Sequence, residues 1–76
     1  MVIQVMGGGC SKCEALLEHV KEAVGNTGKT ADIQYITDFA VIASKGIMST
    51  PALVIDGKVV SSGRVLKTKE IEPLLG

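Results

Sequence analysis

The chain has 76 residues, with eight Lys or Arg balanced by eight Asp or Glu, and its aromatic content is one Tyr, one Phe and no Trp. A chain of this length buries only about 60% of its unfolded surface, so we expect residues 1–76 to form one domain with a small aliphatic core. The zero net charge argues against nucleic-acid binding, which needs a basic patch, and against attachment to an acidic membrane surface. The apolar runs fall short of the ~20 residues of a membrane-spanning helix, and no signal peptide is visible. We therefore expect a cytoplasmic protein.

The first third of the chain predicts a strand followed by a helix. The run "VIQVM" (2–6) is short, apolar and rich in β-branched residues, which is typical of a buried strand. From Ser11 onward, apolar residues recur at steps of three and four. This spacing predicts an amphipathic helix, and Gly25-Asn26 is the expected end.

The middle of the chain predicts a second strand and a short second helix. The segment "KTADIQYITD" (29–38) returns to β-forming residues and predicts the strand. Asp38 is expected to cap a helix through "FAVIASKG", and Gly46 is expected to end it.

The last third predicts a hairpin and a final helix. Two apolar runs flank Asp56-Gly57, the pairing that type I′ turns prefer because both central residues need positive φ. Thr68 is expected to cap a helix through "KEIEPLL", which Pro73 would shorten or kink because proline lacks the N–H. The order is β-α-β-α-β-β-α, and the strand-helix-strand unit requires a right-handed parallel crossover. We predict an α/β fold with a four-stranded mixed sheet, order 2-1-3-4, flanked by three helices.

Two cysteines follow three glycines in "GGGCSKC" (7–13), where the first helix begins. Residues three apart on a helix share a face, so the sulfurs of Cys10 and Cys13 can approach bonding distance. The partial positive charge of a helix N-terminus favours a thiolate at Cys10, which lowers the pKa of that thiol below its usual ~8.5. Cys13 falls on the apolar face and is expected to be more buried. Cys10 is therefore the candidate attacking thiol and Cys13 the candidate resolving thiol.

Other interpretations of the cysteine pair stay open. Both cysteines could act as small apolar residues, and the glycines could form a flexible turn as well as leave access to Cys10. Structural zinc needs four ligands, and His19, six residues after Cys13, is predicted to be solvent-exposed on the polar helix face. We expect no metal and no cofactor.

With the pair placed between the first strand and the first helix, the chain resembles the thioredoxin-like superfamily, in particular the short, glutaredoxin-sized small redox-active disulfide proteins. The resemblance covers nearly the whole chain and rests on "GCSKC" and on "GIMSTPALVIDGKVVSSGRV" (46–65). It implies a cis peptide bond at Thr50-Pro51, facing the cysteines. It also implies that the backbone of Thr50 pairs with an extended substrate segment, as an added strand would.

The resemblance adds further residues to this groove. Met48, Ser49 and Ile47 would line it beside the first cysteine, although packing within the loop is an equal alternative for them. Gly63 matches a family glycine near the same groove and is equally consistent with a turn. Gln4 stands where thioredoxins keep a buried acid, six residues before the first cysteine.

Three functions are compatible with these residues. The first is a thiol–disulfide oxidoreductase that cycles Cys10 and Cys13 between dithiol and disulfide, as a monomer with a protein or small-molecule disulfide as substrate and a thioredoxin-reductase-like electron donor. The second is a carrier of soft metals, Cu(I) or As(III), because a dithiolate suits such ions. Copper-chaperone domains, however, end on a strand, whereas this chain is predicted to end on a helix. The third is a thioredoxin-like binding module without redox activity.

Overall fold

The elements follow one another in the predicted order β-α-β-α-β-β-α. The computed structural model describes residues 1–9 and 11–75. Within them lie β1 (Val2–Met6), α1 (Ser11–Thr27), β2 (Asp32–Ile36), α2 (Phe39–Ser44), β3 (Ala52–Ile55), β4 (Lys58–Ser62) and α3 (Thr68–Ile71), and a 3₁₀ turn (Glu72–Leu75) follows. Cys10 and Gly76 lie outside the described residues.

The four strands form one sheet in the order β2-β1-β3-β4. β1 and β2 are parallel, with Val2 opposite Asp32, because α1 carries the chain across the sheet between them. β3 is antiparallel to both β1 and β4. The predicted mixed sheet and its strand order are therefore confirmed.

The two faces of the sheet carry separate apolar clusters, because side chains alternate along each strand. One cluster, here called the main core, is covered by α1 and α3. It consists of Ile3, Val5, Leu16, Val20, Ala23, Leu53, Ile55, Leu66, Ile71 and Leu75. The other, here called the minor core, includes one residue of α2. It consists of Met6, Ile42, Ile47, Ala52 and Val54.

The first helix ends at Thr27, one residue beyond the end predicted near Gly25-Asn26. The Thr27 hydroxyl donates to the Ala23 carbonyl at 3.0 Å, and the Asn26 side chain donates to Glu72 at 3.0 Å. These bonds stabilise the last turn. Gly28, with φ +67°, follows it in the left-handed conformation typical of a helix end.

The prediction that Thr68 caps the last helix is wrong. The cap residue of α3 is Lys67, and Thr68 is already helical. The Thr68 hydroxyl donates to Glu22 on α1 at 3.2 Å, while the Lys67 backbone N–H donates to the Glu70 carboxylate at 3.1 Å. The predicted shortening at Pro73 is confirmed, because α3 gives way to the 3₁₀ turn at Glu72.

The cap and the end of α2 and the turn between β3 and β4 agree with the sequence predictions. Asp38 caps α2 by accepting the Ala40 N–H at 2.9 Å, and Gly46 follows that helix with φ +76°. Asp56 and Gly57 have φ +50° and +81°, as a type I′ turn requires. In the described part of the chain, no helix combines the length and apolarity that crossing a bilayer requires.

Candidate functional site

The site begins where β1 ends, in the glycine run 7–9. The Gly7 N–H donates to the Ile36 carbonyl at 3.0 Å, which extends the pairing of β1 with β2 by one residue. Gly7 is buried, whereas Gly8 and Gly9 are exposed. Gly9 has φ +81°, a left-handed conformation that side chains disfavour. The chain thus leaves the sheet after Gly7, and exposed Gly8 and Gly9 follow.

Cys13 lies in the first turn of α1 and is fully buried, as its place on the apolar helix face predicts. Its side chain packs against Gly7 so closely that a Cβ on Gly7 would overlap the sulfur atom. The same Cβ position lies 3.7 Å from the Cβ of Thr50. Cys13, Gly7 and Thr50 therefore meet at one point, although they come from three separate segments of the chain.

The third of these segments is the loop before β3. Its Thr50–Pro51 peptide bond is cis, as the resemblance implies. Pro51 is buried, whereas Thr50 is exposed. The Pro51 carbonyl accepts a hydrogen bond from the Gly63 N–H at 2.9 Å, which places Gly63 beside the proline.

Ser49 and Gly63 are also neighbours. A Cβ on Gly63 would lie 3.0 Å from the Cβ of Ser49, and Gly63 has φ +72°. Met48 is 97% exposed, but Ile47 is only 8% exposed and packs in the minor core. Of the two alternatives left open for Ile47, the structure supports packing, because this side chain covers the sheet.

The sequence analysis missed the aromatic residues at the glycine run. A Cβ on Gly8 would lie 3.0 Å from the Phe39 ring, and a Cβ on Gly9 would lie 3.9 Å from the Tyr35 hydroxyl. These are the one Phe and the one Tyr of the chain. The signal was available, since β1 and β2 are parallel and the residues that follow them meet at the same edge of the sheet.

Two polar side chains complete the surroundings. The Gln4 amide donates to Gln34 on β2 at 3.0 Å, so an amide pair occupies the position where thioredoxins keep an acid. His19 is half-buried, and its Nδ1 donates to the Leu66 carbonyl at 2.8 Å. The prediction that His19 is solvent-exposed is therefore wrong. Within residues 1–9 and 11–75, no cluster of three or more His, Cys, Asp or Glu side chains could hold a metal ion.

Comparison with known proteins assigns this arrangement to a family. A family model described as a thioredoxin domain matches residues 1–76. The chain is 35% identical over 75 residues to a thioredoxin of Methanothermobacter thermautotrophicus, a match that covers 99% of this chain and 97% of the relative. It is 36% identical over 72 residues to a thioredoxin of Methanocaldococcus jannaschii, covering 95% of this chain and 83% of the relative.

The chain belongs to the thioredoxin family. At the level of that family it is a thiol oxidoreductase. Its thioredoxin fold brings Cys13 and Thr50 together with Gly7, and it brings Ser49 and Pro51 together with Gly63. The other predicted catalytic residue, Cys10, lies outside the described residues.

Proposed function

We propose that the protein is a thiol–disulfide oxidoreductase that cycles Cys10 and Cys13 between a dithiol and a disulfide. One observation carries this proposal. The sulfur of buried Cys13 lies at the end of β1, beside Thr50 of the cis-proline loop. Cys10 directly precedes Ser11, the first residue of α1, so it adjoins the unpaired N–H groups of that helix in the chain.

The reaction needs two displacements at sulfur. The Cys10 thiolate attacks one sulfur of a substrate disulfide, forms a mixed disulfide and releases the first substrate thiolate. The Cys13 thiolate then attacks the Cys10 sulfur, forms the Cys10–Cys13 disulfide and releases the second substrate thiolate. Two electrons pass to the substrate, and the released thiolates take up protons from solvent. A reductase acting as electron donor returns two electrons and two protons to the pair.

The burial of Cys13 suits the second displacement. A buried sulfur does not meet substrate disulfides from solvent, so the first attack is left to Cys10. Once the mixed disulfide has formed, the sulfur of Cys10 is the target that Cys13 reaches. The burial of Cys13 thus supports the proposed order of the two attacks.

Exposed Thr50, next to Cys13, supports a protein disulfide as the substrate class. A polypeptide laid against the loop in an extended conformation would hydrogen-bond the backbone of Thr50, as an added strand does. Ser49 and Gly63 flank this position and are the proposed further contacts. The side of the loop that faces solvent carries no bulky charged side chain between Met48 and Pro51.

The test of turnover is reduction of an insulin disulfide with dithiothreitol as electron source, and Cys10→Ser is expected to abolish it. Reduced Cys13→Ser, mixed with insulin in the absence of dithiothreitol, is expected to trap a mixed disulfide that added dithiothreitol releases. Thr30→Ser, a change at an exposed position outside the helices and strands, serves as the control with full activity. Full turnover by Cys10→Ser would contradict the mechanism.

The soft-metal alternative has a structural consequence of its own. Copper-chaperone domains have the order β-α-β-β-α-β, whereas this chain has α2 (Phe39–Ser44) between β2 and β3. Titration of the reduced protein with Cu(I) against a competing chelator measures that alternative directly.

A further inference from the structure

The glycine at position 7 is not required by its own backbone. Among the described residues, the glycines with positive φ are 9, 28, 46, 57 and 63, so Gly7 has a negative φ, which other residues also adopt. Its N–H extends the pairing with β2, and the residue is buried. A buried position at the end of a central strand normally favours a β-branched side chain. Something other than chain conformation therefore keeps position 7 small.

The sulfur of Cys13 fills the space that a side chain at position 7 would occupy. Side chains alternate along β1, so position 7 faces the same side as Ile3 and Val5, which is the side covered by α1. A Cβ there would overlap the Cys13 sulfur and lie 3.3 Å from the Cys13 Cβ.

The other glycines provide a contrast. A Cβ on Gly8 would meet only the far end of the Phe39 ring, at 3.0 Å, and a ring of this kind can turn aside. A Cβ on Gly25, within α1, would meet nothing within 4 Å. The close approach to the Cys13 sulfur is thus a property of position 7 and not of position 8.

We infer that Gly7 is a positioning residue for the second thiol exchange: the missing side chain at position 7 holds the Cys13 sulfur at the end of β1, beside Thr50. The part of this inference that concerns thiol exchange rests on the proposed function. The part that concerns the packing of Gly7 against Cys13 does not.

The place of the Cys13 sulfur matters because exchange between sulfur atoms requires a particular geometry. A side chain such as Cys13 has three staggered χ1 rotamers, and the observed one needs the space above Gly7. A methyl group there would turn the sulfur to another rotamer or move the first turn of α1. Disulfide formation tolerates only a narrow range of Cα and Cβ separations. The attack of Cys13 on the mixed disulfide would therefore slow, whereas the first attack, by Cys10, does not use the Cys13 sulfur.

The steric half of the inference is tested by a double-mutant cycle on stability under reducing conditions. Gly7→Ala is made in the wild-type and Cys13→Ala backgrounds, and unfolding is followed in urea. In the wild-type background we expect the folding equilibrium constant to fall about tenfold, as overpacking does. In the Cys13→Ala background most of that loss should disappear, because the sulfur is gone. Equal losses in the two backgrounds overturn the inference.

Two further glycine variants serve as controls in the same experiment. Gly8→Ala should show no coupling to Cys13→Ala, since its Cβ meets Phe39. Gly25→Ala should keep or raise stability, because alanine is the better helix former. If Gly7→Ala does not fold alone, recovery of folding by the added Cys13→Ala substitution supports the inference, and failure to recover overturns it.

The redox half is tested with 5,5′-dithiobis(2-nitrobenzoate) as the disulfide, in a single turnover of reduced protein. The first attack releases one thionitrobenzoate and the second attack releases another. For Gly7→Ala we expect the first release to stay within twofold of wild type and the second to slow at least tenfold, with the protein adduct visible by mass spectrometry. Equal slowing of both releases, or an unchanged second release, overturns the positioning role.

The two halves can fail separately. If Cys10→Ser releases thionitrobenzoate as wild type does, the proposed function fails, and the redox half of the inference fails with it. The urea experiment still decides whether Gly7 accommodates the sulfur. If the wild type shows both releases but Gly7→Ala shows no coupling to Cys13, the proposed function stands and the inference fails.

Discussion

The two ends of the sheet differ in whether adjacent or distant residues determine their conformation and packing. The hairpin end holds the turn of Asp56 and Gly57 and the start of β1. There Val2 and Asp56 exchange two hydrogen bonds, from the Val2 N–H to the Asp56 carboxylate and from the Asp56 N–H to the Val2 carbonyl, both at 2.8 Å. Its positive φ values belong to adjacent residues and follow from the turn type alone.

The site end holds the end of β1 and the start of β3, and its constraints come from residues far apart in the chain. Gly7 is limited by Cys13 and Thr50, Gly8 by Phe39, and Gly63 by Ser49. Thr50 is separated from Gly7 in the chain by the whole of α1, β2 and α2. The hairpin end is thus specified by local sequence, whereas the site end is specified by the topology that brings these segments together.

The largest expected effect on stability comes from a comparison of two residues of β1, one toward each end of the strand. Ile3, opposite Ile55, lies in the main core, and Met6, opposite Ala52, lies in the minor core. Ile3→Ala should lower the free energy of unfolding by about 3–5 kcal/mol and Met6→Ala by about 2–3 kcal/mol, because the main core holds more packed neighbours. Urea unfolding measures both.

A chain of this size has a total free energy of unfolding of roughly 4–11 kcal/mol, so either loss is a large share of it. Val2→Ala is the matched control on the same strand. Val2 is 38% exposed, and we expect a loss below about 1 kcal/mol. A greater loss for Met6→Ala than for Ile3→Ala would reverse the ranking of the two cores.

The contrast between the ends also explains what the sequence could predict. Apolar spacing is a local property, so it predicted the element order, and the crossover rule supplied the parallel pair and the strand order. The cap made by Asp38 and the turn at Asp56-Gly57 depend on adjacent residues, and both were predicted correctly. The mistaken prediction is Thr68 as the cap of α3, where a distant residue decides, because the Thr68 hydroxyl donates to Glu22 on α1.

The site was predictable only in part for the same reason. The cysteine spacing and the Thr50-Pro51 dipeptide are visible as short motifs. The packing of Cys13 against Gly7 depends on which way α1 lies on the sheet, and the position of Phe39 depends on the parallel pairing of β1 and β2. The sequence left two alternatives open for Ile47, because a side chain in a loop next to a site can equally well cover the sheet, and the structure has it in the minor core.

The second comparison uses one glycine from each end. Gly57 and Gly63 both have positive φ, +81° and +72°, so alanine at either position should cost about 1–2 kcal/mol in stability. Gly63→Ala should cost more, because its Cβ would also lie 3.0 Å from the Cβ of Ser49. We expect Gly63→Ala to lower the rate of insulin reduction severalfold, and Gly57→Ala to leave the rate per folded molecule unchanged.

Removal of the neighbour separates the two causes. The double variant Gly63→Ala with Ser49→Gly should recover the stability lost to the contact but not the loss due to φ. Thermal unfolding of the four proteins in this cycle measures the recovery. If Ser49→Gly recovers nothing, the contact between positions 49 and 63 does not limit Gly63.

A third comparison concerns the two aspartates that bond to backbone N–H groups. Asp38 caps α2 near the site end, and Asp56 bonds to Val2 at the hairpin end, in both cases from exposed positions. Replacement of Asp38 by alanine should lower the free energy of unfolding by about 1 kcal/mol. Replacement of Asp56 should cost more, because Asp56 has φ +50° and alanine also disfavours that conformation. Asparagine should retain most of the stability at both positions, because its side-chain oxygen still accepts the bond. A greater loss with asparagine than with alanine would contradict this account.

The smallest expected change in stability is at Phe39, whose ring lies over Gly8 and is 63% exposed. Phe39→Ala should change the free energy of unfolding by about 0.5 kcal/mol or less, as exposed positions usually do. The ring lies beside the glycine run that leads to Cys10, where it offers apolar area to a docking polypeptide. We therefore expect a severalfold lower rate of insulin reduction, with an unchanged rate toward 5,5′-dithiobis(2-nitrobenzoate), which needs no docking surface.

Leu74→Ala is the control for Phe39→Ala. Leu74 is 41% exposed, but it belongs to the 3₁₀ turn after α3, on an element that packs on the main core and not at the glycine run. Its replacement should leave both rates unchanged. An equal fall in both rates for Phe39→Ala would mean that the ring affects the cysteines themselves and not the docking of protein substrates. Comparison of the two substrates thus shows whether the Phe39 ring contacts the protein substrate or acts on the cysteines within the chain. The exposure of the ring alone does not distinguish these two roles.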